Sequence, residues 1–141
     1  MPEFEYQNAT VSFERTSGRI KDEITFSLTN ADGECHLILT SLWMPDDSCP
    51  DKDRHLRFQV GDYFQQTIKS SPEKKRLASL LTQYIIDNHE QELSFINNIY
   101  STYPKEDGFA FTDSADLMWK SRVRNGIAEF DEKLNRYKLL F

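Results

Sequence analysis

Apolar residues tend to alternate with polar ones up to Ser70-Ser71-Pro72, and recur at spacings of three and four beyond it. Alternation places i, i+2 and i+4 on one side of a strand, whereas spacings of three and four build one face of a helix. Phe4 and Tyr6 alternate, then Val11 and Phe13, and Thr16-Ser17-Gly18-Arg19 reads as a turn. Ile24, Phe26 and Leu28 alternate cleanly and share one strand face. Asn30-Ala31-Asp32-Gly33 then predicts a hairpin. Leu37, Leu39 and Trp43 continue one side of the next strand, with Ile38 and Leu42 on the other, so cover on both sides is expected. Pro45 to Asp53 is a polar loop, Leu56, Phe58 and Val60 predict a fourth strand ended by Gly61-Asp62, and Tyr63–Lys69 fits either a short helix or a strand.

The second half opens on a capping signal: Ser70-x-x-Glu73, or Ser71 as cap with Pro72 at the first helical position. Leu77, Leu80, Leu81, Tyr84 and Ile85 follow the helical rule, and the stripe runs on through His89, Leu93, Ile96, Ile99, Tyr100 and Tyr103. Asp87-Asn88-His89 is a place where 73–103 divides into two helices. Trp119, Val123, Ile127, Phe130, Leu134, Tyr137 and Phe141 form a near-heptad seam after Asp113, a good N-cap. The reading is one helix weakened at Asn125-Gly126; the alternative ends it at Asn125. The expected fold is one α+β domain over 1–141, with an antiparallel meander of about four strands (1–70) packed against C-terminal helices (71–141).

Composition narrows the class. Two Trp, six Tyr and ten Phe against five Gly and five Pro argue for a buried core rather than disorder. The formal charge is −6, with 17 Lys+Arg against 23 Asp+Glu, which disfavours nucleic acid as a partner. The acidity is uneven: residues 1–71 hold 7 basic and 12 acidic side chains, residues 72–141 hold 10 and 11. Met1 to Tyr6 has neither a basic nor an apolar signal region, and no apolar run approaches the ~20 residues of a membrane span. A cytoplasmic location, no membrane contact and two reduced thiols at Cys35 and Cys49 are therefore expected.

Catalytic signatures are missing: there is no Gly-rich phosphate loop, no G-x-S-x-G, no H-E-x-x-H and no C-x-x-C. Asp51, Asp53 and His55 share one side if extended, a weak metal set. His89, on the apolar stripe, reads mainly as a core or interface histidine whose ring bonds the backbone, and secondarily as a general base. Lys120, Arg122 and Arg124 beside Trp119 read as a solvated helix flank nearly neutralised by Glu129, Asp131 and Glu132. Leu139-Leu140-Phe141 either tucks into the core or buries against a second chain, so a homodimer through 113–141 is considered.

Three functions follow as expectations. The first is a non-enzymatic module binding a basic protein partner through an acidic surface, in the manner of immunity proteins or inhibitors that neutralise a basic toxin domain. Its contacts would be Asp46, Asp47, Asp51, Asp53 and Trp43, with no cofactor. The second is a small metal-dependent or His-based enzyme using Asp51, Asp53 and His55, or His89. The third is a homo-oligomeric structural or chaperone-like module.

Overall fold

The computed structural model describes residues 3–18, 22–41, 61–69, 75–101, 113–133 and 136–141. Among them are eight strands and two helices: β1 Glu3–Tyr6, β2 Ala9–Ser17, β3 Asp22–Asn30, β4 Gly33–Thr40, β5 Asp62–Lys69, α1 Lys75–Asp87, β6 Asn98–Ser101, α2 Asp113–Arg124, β7 Ala128–Asp131 and β8 Arg136–Leu139. The strands make one mixed sheet in the order β1-β2-β3-β4-β5-β6-β8-β7. β1 to β5 form an antiparallel meander, β5 and β6 are parallel across the α1 crossover, and β8 pairs antiparallel with β6 and β7.

The alternating first half folds as expected because each apolar position lands on the same side. Ile24, Phe26 and Leu28 face the core beside Cys35, Leu37 and Leu39, all fully buried or nearly so. Burying a side chain of this size stabilises by roughly 1.5–3 kcal/mol, so this stripe specifies the register. The predicted hairpin forms with Asn30 opposite Gly33, and the Asn30 side chain accepts a hydrogen bond from the Asp32 amide. An earlier hairpin joins β1 to β2 through Gln7 and Asn8, whose φ of 46° and 64° suit a type I′ turn. Ile38, on the far side of β4, is only half-buried, so that strand is not fully covered on both sides.

The predicted strand Leu56–Val60 and the polar loop Pro45–Asp53 lie outside the described residues. Gly61-Asp62, expected to end a strand, instead opens one: Asp62 begins β5, which settles Tyr63–Lys69 as a strand. Gly61 sits at φ +97°, and a Cβ there would lie 2.9 Å from the Phe95 carbonyl oxygen. Its own carbonyl accepts the Asn97 amide, so glycine lets the 88–97 segment close against the sheet.

The helical half departs further from expectation. α1 buries Leu77, Leu81, Tyr84 and Ile85 as the spacing requires. The stripe beyond it is not helix. The Tyr84 carbonyl accepts both the main-chain amide and the side-chain amide of Asn88, which closes α1. Leu93 and Ile96 then anchor an irregular segment, and Ile99 and Tyr100 belong to β6. The long final helix is corrected likewise. The Gly126 amide bonds the Val123 carbonyl and the Ile127 amide bonds the Arg122 carbonyl, a Schellman stop with Gly126 at φ +75°. The chain then forms the β7–β8 hairpin. The near-heptad seam is therefore a coincidence of helix and strand: Val123 and Phe130 are exposed while Trp119 is buried.

Both helices cover one face of the sheet. Trp119 of α2 stacks on Tyr137 of β8, and α1 joins the same core cluster. The molecule is α+β, but three of its strands lie in the half expected to be helical.

Candidate functional site

The other face of β1–β4 is not covered by either helix. Strand register arranges its side chains in rows. One row runs Glu3, Ser12, Ser27, His36; the next runs Glu5, Thr10, Thr29, Glu34. Glu14, Thr25 and Ile38 form a third, and Thr16, Glu23 and Thr40 a fourth. Within β1–β4 every row carries glutamate, no two glutamates are direct cross-strand neighbours, and none holds Lys or Arg; on β5 the first row continues to Lys69, opposite His36. Glu3, Glu5, Glu14 and Glu34 are exposed and Glu23 is half-buried. The spacers are mostly Ser and Thr, so the carboxylates rise from a flat floor of short side chains. Thr10 donates to Glu5 at 3.1 Å, and the Ser27 hydroxyl and His36 Nδ1 are 2.9 Å apart. His36 Nε2 lies 3.7 Å from Glu34. Like charges held this way project a negative potential outward and fit a cationic surface.

The contact residues expected from sequence, Trp43, Asp46, Asp47, Asp51 and Asp53, lie outside the described residues, as does His55 of the weak metal set. Among the described residues no three His, Cys, Asp or Glu side chains gather to hold a metal. The five glutamates of the sheet face were missed individually, although the signal was present. Each adjoins a core-facing residue (Phe4, Tyr6, Phe13, Ile24 or Cys35), so strand parity alone sends it outward.

His89 does what a packed histidine does. Its Nε2 bonds the Ile96 carbonyl, and its ring stacks on Phe141 at 4.0 Å. Two carboxylates near it in sequence do not orient its ring: Asp87 accepts from Tyr6 and Gln83, and Glu92 is exposed. His89, Asp87, Asn98 and Lys138 line a cleft of about 520 Å3 at the end of α1. At the C-terminus Leu139 is buried, while Phe141 is partly exposed above His89.

Two polar clusters brace the core behind the acidic face, one reaching the surface through the exposed Arg15 and one fully buried. Arg15 pairs with Asp22 at 3.0 Å and lies over the Phe95 ring, while Tyr63 interacts with both charges. Burial pushes the Tyr63 phenol up; the Arg15 charge opposes this. Oδ1 of Asp22 is buried without a hydrogen-bond partner. Arg122, expected in a solvated flank, is instead buried. It donates to Gln65 Oε1 at 2.9 Å and Thr82 Oγ1 at 3.0 Å, with its guanidinium 4.5 Å from the Trp119 ring centre. The reason is helical spacing: Arg122 follows Trp119 by three and shares its inward face. Desolvation lowers its pKa to about 10. Lys120 does stay outside, bonded to Asp116.

No helix among the described residues is long and apolar enough to cross a membrane. Comparison with family models, curated proteins and solved structures finds no match.

Proposed function

We propose that this chain is a non-enzymatic protein-binding module of the immunity or inhibitor type, whose acidic sheet face meets a basic protein partner. The observation that carries the reading is the set of four cross-strand rows on β1–β4, each with glutamate and none with Lys or Arg. A solvated sheet face needs only polar residues of either sign. Excluding one sign across four strands keeps the face from neutralising itself. The sites proposed from sequence at Asp46, Asp47, Asp51 and Asp53 belong to the same acidic half of the chain.

Such a surface acts chiefly on encounter, because long-range attraction raises the association rate and salt screens it. The test is stopped-flow association with any basic protein found encoded beside this chain, from low to physiological ionic strength. The reading expects the association rate to fall by about tenfold or more with little change in dissociation. A rate independent of salt, or no complex, overturns it.

A further inference from the structure

The acidic face ends at an open edge. β1 pairs with β2 and with no other described strand. In a two-residue hairpin the pair flanking the turn, here Tyr6 and Ala9, exchanges both backbone hydrogen bonds. Alternation then turns the amide and carbonyl of Tyr6 and Phe4 toward β2, and those of Glu5 and Glu3 outward. Side chains alternate too. Glu3 and Glu5 stand exposed on the acidic face. Phe4 and Tyr6 lie half-buried on the helix side, Phe4 stacked on Phe13 and Tyr6 edge-on to Tyr84. The edge therefore offers main-chain donors and acceptors at the two residues that also carry exposed carboxylates, that of Glu5 accepting from Thr10.

We infer that β1 receives an extended segment of the basic partner as an added strand, with Lys or Arg opposite Glu3 and Glu5 and apolar residues opposite Phe4 and Tyr6. This rests on the reading of the acidic face as the surface for a basic partner. Main-chain pairing of this kind supplies attachment, and the alternating side chains supply selectivity. A second copy of this chain is the wrong occupant. Only Glu3 and Glu5 turn backbone groups outward, so antiparallel self-pairing of β1 sets glutamate opposite glutamate, which is destabilising. A basic strand meets the same edge with opposite charge.

The experiment uses the full chain, amide resonances, and two capped peptide probes of equal charge. One is Lys-Val-Lys-Val-Lys; the other is its isomer Lys-Lys-Lys-Val-Val. The alternating peptide is expected to shift the Glu3 and Glu5 amides and slow their exchange by about tenfold, as expected for newly hydrogen-bonded amides. The isomer is expected to leave that exchange unchanged. Glu5→Pro removes one outward amide and spares the β1–β2 ladder, so it abolishes peptide binding while the melting temperature holds. Glu5→Gln keeps the backbone and weakens binding along with its salt dependence. Equal response to both peptides, unprotected amides, or full binding by a folded Glu5→Pro variant overturns strand addition. So does Glu3 and Glu5 protection that grows with protein concentration alone. Peptide failure beside a salt-dependent complex with the basic partner removes strand addition and leaves the sheet-face reading standing. Peptide success without that complex does the reverse.

Discussion

Arg122→Met separates two opposing contributions of a buried charge. Desolvation moves this guanidinium from 12.5 to about 10. At about 1.4 kcal/mol per pKa unit, keeping it charged inside costs on the order of 3 kcal/mol. A base with a lowered folded-state pKa carries that whole cost at pH 7; the cost is relieved only as pH rises above 10. Methionine removes it. Methionine also leaves Gln65 Oε1 buried and unpaired, at about 1–3 kcal/mol, and strips the cation from Trp119, at about 2 kcal/mol. Thr82 loses a donor but keeps its own bond to the Ala78 carbonyl, so its loss is nearer 1 kcal/mol. The losses exceed the relief, and Arg122→Met is expected to destabilise by about 2 kcal/mol. Adding Gln65→Leu removes the orphaned oxygen and is expected to recover at least about 1 kcal/mol. Urea unfolding followed by circular dichroism at pH 7 reads both values. A single variant as stable as the parent, or a double variant no better than the single, refutes the reasoning.

Two of the positive-φ glycines, Gly61 and Gly126, are expected to differ. Gly126→Ala meets no atom within 4 Å and costs only its positive φ, about 1 kcal/mol, whereas Gly61→Ala adds a clash with the Phe95 carbonyl and costs clearly more in the same urea assay. Burial and the bond to Asp87 raise the Tyr6 phenol to about 12, so its stabilisation is complete below pH 10 and is lost as pH rises from 10 to 12. Tyr6→Phe is expected to flatten the fall in urea midpoint across that window; an unchanged slope contradicts this. Burial also raises the Cys35 thiol. In a Cys49→Ser background, alkylation of Cys35 is expected only under unfolding conditions, and rapid labelling of the native chain would be the contrary result.

The strand half was legible because its apolar period of two agrees with its turns. Ile24, Phe26 and Leu28 fix both face and register, and Asn30–Gly33 closes the hairpin. The helical half misled because spacings of three and four can arise when short elements meet end to end. Trp119 and Val123 lie on α2, Phe130 on β7 and Tyr137 on β8, yet together they mimic one seam. The deciding information was local: Asn88 recaptures the Tyr84 carbonyl, and Gly126 adopts the left-handed turn that ends α2. Both positions were visible as weak points, but periodicity outweighed them. Arg122 was misread for a different reason. Charge suggested solvent, whereas its place three residues after Trp119 demanded the interior. The acidity of the first half is plain in the composition, but its place on the outward side of the strands follows only from the parity of each glutamate against its core-facing neighbour.

Charge reversal on the sheet face tests the central proposal most directly. Glu14→Lys, Glu23→Lys and Glu34→Lys together change the second, third and fourth strands without touching a core residue. A control with Glu90→Lys and Glu92→Lys alters the exposed segment after α1. With the basic partner at low salt, the account predicts that the sheet-face variant associates about ten- to a hundredfold more slowly, while the control stays within about threefold of the parent. Equal rates for the two variants, with both folded, would contradict it.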